Sequence, residues 1–347
     1  MERTLFLSLA GLCIVASSHA AAPQYRLVEL HNQQTQGFLF GMGISSSNEV
    51  VYGSGVLVNG VATYESFSWK DGQKKDLAGL GSQNGSGYSR ITPSGTYYNT
   101  GGYFDGLSFQ RFPDRSEDGF FDRQVFAFND NLFGVGRISF EGATQSYIYE
   151  DGTVRIGSLG GSRSRGLDIN KDNFALIADQ GGSGGRLYYG RGTNWRDVSA
   201  AAPGLTGGYV WGAWLNDHGA ITSRDRRYTP NASGGFDETI IPASSTGLLP
   251  LARDINNNGW VLAESFTGGN HMLFDGTSTY ELPEIIENVP AGSSFFTAEQ
   301  INDNGWIVGT YKIGQDQHAF VLQPVPEPTS ILALGAGIAA FLRRKRK

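Results

Sequence analysis

Hydrophobic and polar positions alternate over short distances along most of this 347-residue chain. Short runs of aromatic and β-branched residues are separated by segments rich in Gly, Asn and Asp. No stretch before residue 328 keeps apolar residues at the i, i+3, i+4 and i+7 spacing of an amphipathic helix. Such a pattern is typical of short β-strands joined by tight turns. We therefore predict an all-β protein.

One motif recurs along the chain and is clearest near its C-terminal end. An apolar residue is followed by a turn of Asn, Asp and Gly and then by a second apolar run, as in Ile301–Gly309 and Ile255–Ala263. The turn position that Gly305 represents recurs at residues 48, 95, 132, 173, 219, 259 and 305, about 43 residues apart on average. Asn, Asp and Gly tolerate the positive φ of a tight turn, so each copy predicts two strands joined by such a turn.

The length of the repeat predicts how the seven units assemble. A unit of about 43 residues has room for about four short strands, which cannot bury both faces alone and must stack on their neighbours. Seven such units favour a closed seven-bladed β-propeller over an open β-solenoid, whose coils are shorter. Residues 25–30 precede the first unit, and we expect them to complete the last blade beside Phe320.

The last copies resemble a family of extracellular repeats. The turn at residues 302–305 is followed by His318-Ala319-Phe320, the tripeptide after which HAF repeats are named. The resemblance is strongest over residues 255–323. It implies an extracellular location and a repeat architecture, and it implies no particular activity.

The N-terminal residues have the features of an export signal. Arg3 is followed by an apolar run at residues 5–16 and then by small residues that suit signal peptidase, so cleavage after Ala20 or after Ala22 fits equally well. Cys13, the single cysteine, lies in this segment. The mature chain is therefore expected to lack disulfides, thiol nucleophiles and cysteine metal ligands.

The C-terminal residues form a three-part tail: a Pro-Glu-Pro box, an apolar run at residues 331–342, and a basic end that begins with two arginines (Pro326, Glu327, Pro328, Arg343, Arg344). A helix of this run is shorter than a hydrocarbon core of about 30 Å, so we expect a transient transmembrane anchor in the inner membrane, with the basic end on the cytoplasmic side. The tail resembles the PEP-CTERM tail that exosortases recognise in Gram-negative bacteria that make exopolysaccharide. The resemblance implies cleavage near the box and release of the body to the cell surface or extracellular matrix. A simple C-terminal anchor is the alternative.

These features predict three regions: a signal peptide at 1–22, a propeller-like repeat domain at 23–323 and a sorting tail at 324–347. The whole chain has a formal charge of −6. Residues 1–20 are neutral and residues 327–347 carry +4, so the body between them carries −10. An acidic body argues against nucleic acid and against anionic lipid headgroups as partners.

Calcium is the cofactor hypothesis that the turns suggest. Asp168 and Asp254 each begin an Asp-x-Asn-x-Asp/Asn series like the first half of an EF-hand loop. Neither series has a Glu at the twelfth position, and the flanking residues predict strands. We therefore expect ordinary turn chemistry at both aspartates and no metal site. His271 and His318 occupy the same repeat position, so we expect one structural role for both.

Tryptophan residues are the candidates for ligand contact, because aromatic rings stack on the apolar faces of sugars. Trp260 and Trp306 lie at matching repeat positions, so we expect them to pack between blades. Trp211 and Trp214 lie in a Gly-rich stretch outside the repeat pattern. These two are the predicted ligand-facing residues.

Taken together, these patterns favour an exported, non-enzymatic surface or matrix protein that binds glycan or protein. Signal peptidase and exosortase are the expected partners in export, and exopolysaccharide or a cell-surface protein the expected partner afterwards. A polysaccharide-active propeller enzyme and a purely structural matrix protein are the alternatives. No catalytic residue is predicted from spacing, but two carboxylates in a cleft at the end of the channel would favour the enzyme.

Overall fold

The structure, a computed structural model, describes residues 22–33, 37–58, 61–77, 90–113, 122–140, 143–150, 152–157, 163–179, 185–199 and 212–326. Within these residues, 28 strands form seven four-stranded antiparallel sheets. The sheets are the blades of a seven-bladed β-propeller, which confirms the predicted fold class. Each blade contains one copy of the repeat motif.

The strands are numbered in chain order, and within each blade the first repeat strand is innermost. The first strand of the chain, β1, spans Tyr25–Gln33. Blade 1 contains β2 Gly37–Ile44, β3 Val50–Val58, β4 Val61–Lys70 and β5 Gln73–Asp76. Blade 2 contains β6 Arg90–Ile91, β7 Tyr97–Asn99, β8 Gly102–Phe104 and β9 Phe109–Arg111. Blade 3 contains β10 Asp122–Phe128, β11 Phe133–Phe140, β12 Ala143–Glu150 and β13 Thr153–Gly157. Blade 4 contains β14 Ser164–Ile169, β15 Ala175–Asp179, β16 Arg186–Arg191 and β17 Asn194–Asp197.

The remaining blades follow the same order. Blade 5 contains β18 Ala213–Leu215, β19 Ile221–Ser223, β20 Arg226–Pro230 and β21 Phe236–Ile240. Blade 6 contains β22 Pro250–Ile255, β23 Val261–Ser265, β24 Met272–Phe274 and β25 Thr279–Glu281. Blade 7 contains β26 Ser293–Ile301, β27 Ile307–Ile313 and β28 Asp316–Pro324, with β1 as its outermost strand.

The repeated turn joins the first and second strands of every blade. All seven residues at the predicted turn position have positive φ: Asn48 63°, Gly95 109°, Leu132 61°, Asn173 63°, Gly219 78°, Gly259 78° and Gly305 77°. The predicted turn register is therefore confirmed. Because the seven innermost strands run in the same direction around the channel, these turns lie together on one face, here called the turn face.

The ring is closed by its two terminal strands. β1 pairs with β28 from Tyr25 opposite Pro324 to Gln33 opposite Gln317, with a bulge between Glu29 and His31. Tyr25 and Leu27 are buried in the core cluster between blades 6 and 7. The expectation that the first segment completes the last blade beside Phe320 is confirmed, and pairing removes the free edge that β28 would otherwise expose.

Asparagine side chains link neighbouring blades at the turn face. At four blade boundaries, an Asn Nδ2 donates to a backbone carbonyl oxygen of the next blade: Asn129 to Asn170 (2.8 Å), Asn216 to Asn256 (3.0 Å), Asn256 to Asn302 (3.0 Å) and Asn302 to Ser45 (2.8 Å). The Oδ1 of each of these residues accepts backbone N–H groups from its own turn, as Asn256 does from Asn258 and Trp260. One side chain therefore both shapes its turn and holds the next blade.

Close packing of strands accounts for glycine inside two of them. A Cβ at Gly136 would lie 1.8 Å from the Gln124 backbone oxygen, and one at Gly309 would lie 1.9 Å from the Thr297 backbone oxygen. Any larger residue would force these strands apart from the innermost strand of the same blade.

Among the described residues, the only helical segment is one 3-10 turn, Leu282–Ile285. No helix among the described residues is long and apolar enough to cross a membrane. The predicted cleavage site at Ala20 and the predicted sorting helix at 331–342 lie outside the described residues. The signal peptide therefore stays a prediction.

Candidate functional site

Two carboxylates face the central channel just below the turn face. Asp168 and Asp254 occupy equivalent positions on the innermost strands of blades 4 and 6, and both line a cavity of about 140 Å³ at this end of the channel. Asp168 Oδ2 accepts the backbone N–H of Leu215 at 2.7 Å, and Asp254 Oδ2 accepts that of Ile301 at 2.8 Å. Each aspartate thus holds the next blade at an equivalent point.

A glutamine performs the same role where the ring closes. Gln300 Oε1 in blade 7 accepts the backbone N–H of Ile44 in blade 1 at 2.9 Å. Because an uncharged amide serves at this position, the contact requires an acceptor oxygen and does not require a negative charge.

Burial dominates the titration of both aspartates. It raises the pKa of Asp168 to about 6, against the opposing effect of the N–H groups of Leu215 and Ile169. It raises the pKa of Asp254 to about 7, and the nearby Asp168 carboxylate adds to this effect. Burial disfavours the charged form of a carboxyl group, and a neighbouring negative charge does the same.

The hydrogen bonds to the next blade give both aspartates a structural role, and this role differs from that of the first ligand in an EF-hand loop. Asn256, which would be the second ligand after Asp254, uses its Oδ1 within its own turn. Turn chemistry therefore accounts for this oxygen. No group of three or more His, Cys, Asp or Glu among the described residues could hold a metal ion. A bound calcium ion at Asp168 or Asp254 stays an untested hypothesis.

The two repeat histidines are both buried, but their partners differ. His271 Nδ1 lies 3.1 Å from the backbone oxygen of Ala298 in blade 7. His318 Nδ1 lies 3.2 Å from Glu29 Oε2 on β1, within its own blade. The expected single role is therefore wrong in detail, because the outer neighbour of β28 is β1 whereas the segment at His271 contacts the following blade.

The structure places the four tryptophans singled out from the sequence in different environments. Trp260 and Trp306 pack, partly buried, against the core clusters at the blade 6–7 and blade 7–1 boundaries, which confirms their packing role. Trp211 lies outside the described residues. Trp214 packs against the cluster between blades 5 and 6 and also lines an open cleft of about 670 Å³.

This cleft, here called the blade 5–6 cleft, is our candidate functional site. Blade 5 contributes a glycine, an indole and a guanidinium, and blade 6 contributes aliphatic, aromatic and charged side chains: Gly212, Trp214, Arg224, Leu251, Ala252, Arg253, Glu264 and Phe266. Arg224 and Phe266 lie in connections between second and third strands. Such connections are at the opposite end of the blade from the turn face.

Local sequence positions the tryptophan in the cleft. A Cβ at Gly212 would lie 2.9 Å from Trp214 Cη2, so only glycine lets the indole lie over the backbone at this point. Phe266 is 69% exposed, and its backbone N–H donates to the Leu249 oxygen at 3.0 Å. One ring is therefore held against the blade 5–6 core, whereas the other stands out into solvent.

A β-bulge places the charged group on the blade 6 wall. The register of β22 against β23 shifts between Ala252 and Asp254, so Arg253 is the extra residue. Bulges re-aim side chains in this way beside functional sites. Arg253 Nη2 reaches Glu264 Oε2 on the neighbouring strand at 2.7 Å.

Arg253 also affects the titration of two neighbouring residues. Burial raises the pKa of Glu299, the bulge residue of blade 7, and the positive charge of Arg253 opposes that rise. Burial lowers the pKa of His271 to about 4, and Arg253 adds to this effect. His271 is therefore neutral at neutral pH.

Sequence reasoning identified Trp214 but missed the rest of the cleft. Arg253 and Glu264 are 11 positions apart and meet only because of the strand pairing and the bulge. Phe266 could have been found from the sequence. The Thr267-Gly268-Gly269 segment that follows it predicts a turn, and an aromatic residue beside a turn is often exposed.

The residues next to both predicted processing sites lie close together. Ala22 packs, partly buried, against the blade 7 core, and the Val325 N–H donates to the Gln24 oxygen at 2.8 Å. Pro326 follows directly, whereas Glu327, Pro328, Arg343 and Arg344 lie outside the described residues. The two ends of the propeller domain therefore leave blade 7 side by side.

Comparison with known proteins adds a motif and a fold. Residues 324–347 match the PEP-CTERM protein-sorting motif, which confirms the predicted tail. No curated protein has a sequence that matches this chain. The fold is similar to that of virginiamycin B lyase from Staphylococcus aureus, at 11% identity over 86% of this chain and 99% of that chain, with a TM-score of 0.52.

A streptogramin B lyase is similar at 13% identity over 87% of this chain and 98% of that chain, with a TM-score of 0.54. Identities this low show the fold alone. The chain is a seven-bladed β-propeller that carries a PEP-CTERM protein-sorting motif at residues 324–347.

Proposed function

We propose that this protein is an exported, exosortase-processed surface or extracellular-matrix protein whose propeller binds glycan without catalysing a reaction. The PEP-CTERM motif supports export and a transient inner-membrane anchor. The blade 5–6 cleft carries the binding proposal, because it combines Trp214 and Phe266 with guanidinium groups. Aromatic rings stack on the apolar faces of sugars, and guanidinium groups donate hydrogen bonds to sugar oxygens. Binding to a cell-surface protein is the other form of the same proposal.

The channel carboxylates have a structural role that does not require catalysis. Two carboxylates at the end of the channel are the arrangement expected of a polysaccharide-active enzyme. Here Asp168 and Asp254 both accept backbone N–H groups of the next blade, so the assembly of the ring accounts for them.

A polysaccharide-active enzyme is the second candidate, and one observation favours it. Glu299 has a raised pKa and lies within electrostatic range of Arg253 and Glu264. Two neighbouring carboxyl groups, one of them with a raised pKa, are the arrangement that glycoside cleavage uses. Loss of polymer chain length on incubation with the protein, abolished by E299Q, would support this candidate over the binding protein.

The binding proposal is tested by substitution of Trp214. The full chain, purified in mild detergent, is passed over immobilised bacterial exopolysaccharides, and affinity is measured for the wild type and for W214A. We expect W214A to bind about 10-fold more weakly, as loss of one stacking ring costs about 1–1.5 kcal/mol. W195A is the matched control, since Trp195 is partly buried on β17, in blade 4, away from the cleft.

Two results would overturn the proposal. Wild-type protein that binds none of the polysaccharides would remove the glycan function. Equal weakening by W214A and W195A would show a general loss of structure and no contact at the cleft.

A further inference from the structure

The charges in the blade 5–6 cleft differ in sign from those of the body around it. The body carries −10. The cleft lining has two arginines, Arg224 and Arg253, and one carboxylate, Glu264, which is in an ion pair with Arg253. The lining therefore has a net positive charge in an acidic protein, and such a local field favours a ligand of negative charge.

The hairpin turn at Arg224 places its side chain at the rim of the cleft. Arg224 has φ 55° in the two-residue connection between β19 and β20, and its side chain is exposed. Gly adopts positive φ without strain, and Asn and Asp adopt it with little strain, whereas other residues are strained there. The long cationic side chain of Arg224 is therefore exposed at the rim of the cleft, where a ligand could reach it.

A second strained residue extends the same face toward blade 7. Phe295 has φ 52° and is 59% exposed, and Lys312 Nζ lies 5.8 Å from its ring centroid. The neighbouring Phe296 N–H donates to Asn270 Oδ1 at 3.3 Å, which joins β26 to the segment that follows Phe266. An aromatic ring with a basic group beside it therefore occurs both in the cleft and next to it.

We infer that the blade 5–6 cleft takes an acidic polysaccharide, in which Trp214 stacks on the sugar ring and Arg224 pairs with the carboxylate of a uronic acid residue. A planar guanidinium can donate two parallel hydrogen bonds to a carboxylate. Trp214 and Phe266 supply the stacking surfaces, and Phe295 with Lys312 provides a further contact for a chain that extends across blades 6 and 7. This inference rests on the proposed glycan binding and specifies its ligand class.

The test uses one polymer in two charge states. Affinity of the full chain in mild detergent is measured for alginate, a linear polyuronate, and for carboxyl-reduced alginate, whose sugars are neutral. We expect at least 10-fold tighter binding to alginate, with an affinity that falls as NaCl is raised from 50 to 300 mM. Equal affinity for both polymers would overturn the acidic-ligand inference and leave glycan binding intact. Binding to neither polymer, when other exopolysaccharides bind, would also overturn it, whereas failure with every glycan would remove the proposed function itself.

Variants assign the charge dependence to Arg224. R224Q should weaken alginate binding about 10-fold and weaken binding to the neutral polymer much less, because Gln keeps a hydrogen-bond donor and loses only the charge. R224K should recover part of the alginate loss, because it keeps the charge but not the two parallel hydrogen bonds. W214A should weaken binding to both polymers. R155Q is the control, since Arg155 is an exposed arginine in an ion pair with Glu150 in blade 3. If R224Q and R155Q reduce alginate binding equally, the charge effect is general and the assignment to the cleft is wrong.

Discussion

At the scale of single residues, the Asn of the repeated turn contributes to stability through two blades at once. Asn256 is buried, accepts two N–H groups of its own turn and donates to Asn302 in the next blade. Substitution by Ala leaves these buried backbone groups without partners. We expect N256A to lower the free energy of unfolding by about 2–3 kcal/mol, measured by urea denaturation.

Asn231 provides the matched control for that substitution. It also accepts an N–H of its own turn, from Gly235 at 2.9 Å, but it is partly exposed, and its side-chain contacts with Ser233 and Asp237 lie within blade 5. Water can replace these contacts, so N231A should cost about 0.5 kcal/mol. Equal costs for N256A and N231A would contradict an inter-blade role for Asn256.

At the scale of elements, the contact between β22 and the next innermost strand should depend on pH. Burial raises the pKa of Asp254 to about 7, so the folded state favours the protonated carboxyl. The stabilising contribution of this group is therefore complete below about pH 4, the value for an unfolded Asp, and is lost as the pH rises through 7. D254N keeps an acceptor oxygen for the Ile301 N–H and cannot ionise.

The expected result is a pH-dependent difference between the wild type and D254N. D254N should become more stable relative to the wild type by about 1–2 kcal/mol between pH 5 and pH 8, as measured by urea denaturation at each pH. D71N is the control, because Asp71 is exposed in the turn between β4 and β5 and Asn tolerates its φ of 50°. A constant difference between D254N and wild type across this range would contradict the raised pKa.

The same element shows how far sequence could predict this structure. The turn at Asn256 was predictable, because Asn and Gly at fixed spacing are local signals for positive φ. The side to which the Asp254 side chain points was not predictable, because the bulge at Arg253 shifts the alternation of side chains along β22. The ion pair between Arg253 and Glu264 likewise depends on a register that no local pattern records. Trp214 could be singled out only because it lies outside the repeat.

At the scale of the whole molecule, stability depends on one contact between the two ends of the domain. Every other blade is a continuous piece of chain, whereas blade 7 is completed by β1, almost 300 positions before β28. This pairing closes the largest loop in the chain, so its formation has the largest cost in chain entropy. The ring should therefore open first between β1 and β28.

A disulfide across that pair tests this conclusion. Arg26 and Gln323 are direct partners, both with some solvent exposure, and the single native cysteine, Cys13, is replaced by Ser to avoid mispairing. Opposite residues of antiparallel strands lie within disulfide reach. The oxidised R26C/Q323C variant should gain about 2–5 kcal/mol over its own dithiothreitol-reduced form, measured by urea denaturation. A covalent link at the first point of opening must slow or prevent the opening of the ring. If free-thiol titration shows that the bond has formed and stability is still unchanged, the ring opens elsewhere.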